Sequence, residues 1–128
     1  MQINLRQIPC PVNSIPAEPP IVPPKEYERR IQTLYDAANS DWVVVYADRE
    51  HFANLTFLIN FDPRFEEALL LLGPGRSRLL IVGNEGLGYT SVIPIPMEIL
   101  LCQTFSLPGQ QREKAPRLTD VLRSAGMR

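Results

Sequence analysis

Histidine occurs once in these 128 residues, at His51, and cysteine twice, at Cys10 and Cys102. A two-histidine metal site inside the chain is therefore excluded, and no CxxC spacing offers zinc an alternative. Both cysteines read as free thiols, as in a reducing compartment. Charge of one sign is lacking too: 13 Lys and Arg against 14 Asp and Glu leave a net charge of −1. Nucleic acid is not an expected partner, because a protein that neutralises phosphates needs a basic surface. No apolar run reaches the roughly 18 residues of a membrane-spanning helix. The N-terminus, MQINLRQIPC, has no apolar core of a secretory signal. The expectation is a cytoplasmic protein with no membrane partner, in which the sequon Asn54-Leu55-Thr56 is accidental.

Catalytic signatures are equally scarce. There is no G-x-S-x-G elbow for serine hydrolysis. The run GNEGLG, residues 83–88, follows an apolar stretch but is spaced G-x-x-G-x-G, and no Lys-Ser or Lys-Thr follows it. It reads as a glycine-rich turn from strand to helix rather than a phosphate cradle.

What the chain does contain is a change of pattern near residue 25. Seven of its 13 prolines lie in residues 1–24, which predicts an extended, polyproline-like arm that cannot nucleate a core. Residues 25–128 form one domain, long enough to bury a core. Tyr27, Ile31, Leu34, Tyr35 and Ala38 recur at helical spacing and predict a helix ending near Asn39-Ser40. WVVVY, Trp42 to Tyr46, is apolar throughout and predicts a strand buried on both faces. Glu67 to Leu72 and Arg78 to Gly83, joined by GPGRS, predict an antiparallel hairpin. Glu98 to Phe105 is a fourth apolar run. Arg117 to Gly126 predicts a closing amphipathic helix with Gly126 just past its end. Together these elements predict an α/β fold with a mixed sheet.

The most polar cluster near a strand end is Asp48, Arg49, Glu50 and His51. Because ligands favour the carboxyl ends of strands in α/β sheets, Asp48, Glu50 and His51 form a candidate acid–base group. The competing reading makes Asp48 the N-cap of a helix starting at Arg49. Glu66 and Glu67 are neighbours that would point to opposite faces of a strand, so they cannot act on one substrate atom together unless the strand begins after them.

The segment ADREHFANLTFLINFDPRFEEALLLL resembles the N-terminal domain of the creatinase, prolidase and aminopeptidase P family. That family carries a segment of the form Asn-aliphatic-x-Tyr-Leu-Thr-Gly-Phe between two strands. Asn54, Leu55, Leu58 and Phe61 match it, Phe57 stands for the tyrosine, and Ile59 and Asn60 replace the threonine and glycine. Asparagine tolerates the left-handed backbone that glycine usually supplies, so the second change is mild. The similarity runs from about residue 25 to residue 128.

The resemblance implies a ribonuclease H-like motif, a three-layer sandwich whose mixed β-sheet is flanked by helices. It implies no cofactor in this chain. In the family, two divalent metal ions (Mn, Zn or Co) lie in a C-terminal pita-bread domain, held by two aspartates, a histidine and two glutamates. The chain is then expected to be a non-catalytic N-terminal domain whose partners are that catalytic domain, which is missing here, and a second subunit in a homodimer. Its role would be to shape substrate access to a hydrolase such as an Xaa-Pro metallopeptidase. The loops at residues 47–54 and 61–65 would face the site. Arg64 is the foremost substrate-facing residue, suited to a carboxylate, followed by His51, Asp48, Asn54 and Asp62. The competing reading of Arg64 is a surface ion pair with Glu66 or Glu67. Two other functions stay open: a stand-alone ligand- or protein-binding module, and a small enzyme built on Asp48, Glu50 and His51.

Overall fold

The computed structural model describes residues 5–9, 18, 20–113 and 116–127. Most of the proline-rich arm, with Cys10, lies outside them. The first helix, α1 (Pro24–Ala37), begins on a proline, whose fixed φ and missing N–H suit the first helical turn. It buries Tyr27 and Ile31 and ends before Asn39, as its periodicity predicts. Strand β1 (Val43–Ala47) leads to the short helix α2 (Ala53–Ile59). Strands β2 (Ala68–Gly73) and β3 (Ser77–Val82) then form the expected antiparallel hairpin. A 3-10 turn at Pro74–Arg76 joins them, with Gly75 at φ +67°. Helix α3 (Asn84–Tyr89), strand β4 (Glu98–Leu101) and helix α4 (Leu118–Ser124) complete the chain.

The four strands form one open mixed sheet in the order β1-β2-β3-β4. β1 and β3 are antiparallel to β2, and β4 is parallel to β3. Thus β1, β3 and β4 all finish at the end of the sheet where β2 begins. Alternate residues of β2 feed two cores. Leu70 and Leu72 join Tyr27, Ile31, Leu55, Leu58 and Ile59 beneath α1 and α2. Leu69 and Leu71 face Cys102, Phe105 and Val121 on the α4 side. Fully burying each leucine is worth about 1.5–3 kcal/mol, so β2 is the main apolar anchor of the fold. Gly73 ends β2 because only glycine fits there: a Cβ would stand 2.3 Å from the Trp42 ring.

Three expectations need correction. The WVVVY run is not buried on both faces. Val43 and Val45 pack toward α1 and α2, while Val44 and Tyr46 remain 46% and 44% exposed. β1 is the edge of the sheet, and on its second face only Trp42, just before the strand, joins the core around α4. The fourth apolar run is strand only as far as Leu101; Gln103–Phe105 is a 3-10 turn. The GNEGLG run is itself most of a helix, α3, rather than only the approach to one.

Candidate functional site

The end of the sheet shared by the carboxyl termini of β1, β3 and β4 carries loops at residues 48–52 and 61–67 and the start of α3. In loop 48–52, Asp48 Oδ1 accepts the N–H groups of Glu50 at 2.8 Å and His51 at 2.7 Å, and lies 2.9 Å from His51 Nδ1. Burial opposes ionisation of Asp48, but those two N–H groups and the imidazole outweigh it and hold its carboxyl below the usual aspartate range. The sequence alternative of an N-cap at Asp48 fails in its detail. The helix starts at Ala53 with Phe52 as its cap, because the Asp48 oxygen is engaged in closing the turn to His51.

α2 ends on Asn60 in the left-handed conformation, φ 59° and ψ 27°. This is the geometry expected where asparagine stands in for glycine. Thr56 Oγ1 donates to the Phe61 carbonyl at 3.2 Å, tying the helix end to the next loop. Asp62 Oδ1 then accepts the Arg64 N–H at 2.8 Å, closing a tight turn over Pro63. Arg64 adopts φ +63°, uncommon for a side chain of its size.

That turn has two consequences. It swings Glu66 inward, to 2% exposure, and leaves Phe65 outside at 61%. Glu66 Oε2 accepts the N–H groups of Glu85 at 2.9 Å and Gly86 at 2.8 Å, at the start of α3. A carboxylate there satisfies helical donors that have no partner within the helix. Gly83 permits this approach: a Cβ on it would stand 2.5 Å from Glu66 Oε2.

The outer surface of this rim carries aromatic and cationic groups beside the exposed acids Glu50 and Glu67. The Arg49 guanidinium lies over the Phe65 ring at 5.7 Å, linking the two loops, and Arg64 lies over Tyr89 of α3 at 5.9 Å. Among the described residues neither arginine forms an ion pair, so the alternative pairing of Arg64 with Glu66 or Glu67 is not made. Across the strand pair, Tyr46 sits between acids: burial, then the carboxylates of Glu67 and Asp48, raise its phenol above the ordinary tyrosine value. No known family, curated protein or solved structure matches this chain. The reading of the rim therefore rests on its geometry.

Of the substrate-facing candidates, the structure brings Asp48 with His51, and Asp62 with Arg64, to this one rim. Asn54 is not among them. It lies on α2 beside Phe57, in a groove along β1. Sequence reading passed over Arg49, Phe65 and Tyr89, although the pairs Arg64-Phe65 and Gly88-Tyr89 place an aromatic in loop 61–67 and at the end of α3. It also missed Glu66, for which the only cue was that one of two adjacent glutamates must turn inward. Two arginines held over rings, and in no ion pair among the described residues, can accept a carboxylate or an acidic segment. Among the described residues no three of His, Cys, Asp and Glu are grouped to share a metal ion, and no helix is long and apolar enough to cross a membrane.

Proposed function

We propose that this chain is a non-catalytic N-terminal domain of a dinuclear-metal hydrolase of the creatinase, prolidase and aminopeptidase P kind, which shapes substrate access and supports dimerisation. The observation that carries this reading is the rim at residues 46–67. The acids Asp48, Asp62 and Glu66 are engaged in building turns and holding α3, while Arg49, Arg64 and Phe65, with Tyr89 of the adjoining α3, are exposed beside the acids Glu50 and Glu67. Such a surface makes contacts at the wall of a site; the reacting groups would come from another domain. Asn60 in the left-handed conformation, where the family pattern has glycine, supports the same kinship.

The reading carries a finer fold assignment with it, a ribonuclease H-like sandwich of three layers. Two apolar clusters on opposite faces of the sheet, one under α1 and α2 and one under α4, support that layering. It also carries a cytoplasmic location and two metal ions in the catalytic domain, with no ligand from this chain. The second reading, a stand-alone binding module, draws on the groove of about 550 Å³ beside β1.

The test is an assay of the chain with Mn²⁺ or Zn²⁺ and an Xaa-Pro dipeptide, alongside the parent enzyme carrying Arg64→Ala. The expected results are no turnover by the chain alone and a raised KM with little change in kcat for the variant. Hydrolysis by the isolated chain, or an Arg64→Ala parent that matches the wild type, would sink the proposal.

A further inference from the structure

The outer edge of β1 is unoccupied among the described residues. The strand ends the sheet order, and no backbone–backbone hydrogen bond joins Val43–Ala47 to any described segment besides β2. Natural sheets protect such an edge with lysine, proline, a bulge or a covering loop, because its unpaired backbone groups invite another strand. None of these is present among the described residues. The segment is Val43-Val44-Val45-Tyr46-Ala47, and its pairing with β2 runs without interruption. Beside the edge lies the groove of about 550 Å³, walled by Leu34 and Ala37 of α1 and Phe57 and Leu58 of α2. An added strand would therefore meet an apolar wall as well as free backbone donors and acceptors.

We infer that the occupant is a second copy of this chain, joined edge to edge with β1 antiparallel to its partner about a two-fold axis at Val45. The sequence around Val45 is complementary to itself in this register. Val45 meets Val45, Val43 meets Ala47, and the half-exposed Val44 meets the half-exposed Tyr46 of the partner. Pairs of a β-branched residue with an aromatic ring stabilise such contacts. The charges agree as well. Asp41 lies two residues before the strand and Arg49 two residues after it, so the two-fold brings each Asp41 to the partner's Arg49. Both residues are exposed, and neither forms an ion pair within the described residues. An unrelated peptide would have no reason to match these charges. A two-fold contact is also closed, since it uses one β1 edge from each copy and leaves none for further growth.

This inference rests on the dimer-supporting part of the proposed function and not on its hydrolase kinship. Its test uses the 128-residue chain alone. Sedimentation velocity across a wide concentration range should show reversible dimers, and alternate amides of Val43–Ala47 should gain exchange protection as concentration rises. Asp41→Arg or Arg49→Asp alone should weaken association about tenfold or more, because each places like charges together twice. The double variant Asp41→Arg/Arg49→Asp should recover to within about threefold of the original, as coupled sites do in a double-mutant cycle. Circular dichroism should show that all three variants stay folded, since both positions are exposed. A chain monomeric at every concentration, or a double variant no better than its parents, would overturn the inference. So would edge amides already protected at high dilution, which would mean that another part of the same chain fills the edge. None of these outcomes bears on hydrolase parentage, which the Xaa-Pro assay decides separately.

Discussion

Glu66→Ala is the substitution that probes the rim most directly. Glu66 Oε2 accepts two backbone N–H groups at 2.9 and 2.8 Å. Hydrogen bonds to a charged group contribute about 1.5–3 kcal/mol each. Against them stands the cost of Glu66 Oε1, which is buried and has no hydrogen-bond partner; an unsatisfied buried polar atom costs about 1–3 kcal/mol. Alanine removes both terms, and at mid-range values the net loss should be about 2.5 kcal/mol. Urea unfolding is the assay, and the midpoint should fall while the slope m stays constant. Gly83→Ala gives an independent handle, because its Cβ would stand 2.5 Å from the same Oε2 and 3.0 Å from the Phe105 backbone. That substitution must expel the carboxylate or shift the strand end. If both act through one contact, the double variant should lose distinctly less than the two single losses added together. A Glu66→Ala loss below about 1 kcal/mol, or strict additivity with Gly83→Ala, would refute the role given to this carboxylate.

Other predictions follow from the same structure. Asn60→Ala should destabilise by about 1–2 kcal/mol, since alanine pays the left-handed backbone cost and the side-chain bond from Asn60 Nδ2 to the Val92 carbonyl is lost; urea midpoints check it. Leu70→Ala, at a fully buried site, should lose about 2–5 kcal/mol, whereas Val44→Ala on the half-exposed side of β1 should lose about 1 kcal/mol or less. Equal losses at the two positions would contradict the edge placement of β1. The Glu26 carboxyl is held at about 2, chiefly by the Arg29 hydrogen bond, with burial opposing and Arg30 adding to it. Its folded value lies below the ordinary glutamate value of 4.5, so its contribution is complete above that value and is lost as pH falls toward 2. The stability gap between the wild type and Glu26→Gln should therefore close over that acid window, and a gap independent of pH there would count against the pairing.

Much of the fold was legible in the residues because the relevant physics is local. The helical spacing of Tyr27 and Ile31, the Gly-Pro-Gly link between β2 and β3, and Gly126 after the last helix each act within a few residues. Asn60 was legible for the same reason: the left-handed conformation is a property of one residue and its neighbours. The position of β1 was not. An unbroken apolar strand reads as central, and only the order of strands, which depends on pairings among distant segments, put it at the edge.

The rim divides along the same line. The turns closed by Asp48 and Asp62 are local, since an aspartate reaches backbone N–H groups two and three residues on, yet the sequence was read there as a helix cap and a substrate contact. The sequence alone determined that the chain offers one histidine and no metal-ligand spacing. Tertiary structure decided that Glu66 turns inward and Glu67 outward. The partners of Glu66 are the N–H groups of α3, 19 and 20 residues away, and no local rule brings them there. It likewise decided that Arg49 meets Phe65 and Arg64 meets Tyr89, contacts that exist only because β1, β2 and β3 lie side by side and gather their end loops at one rim.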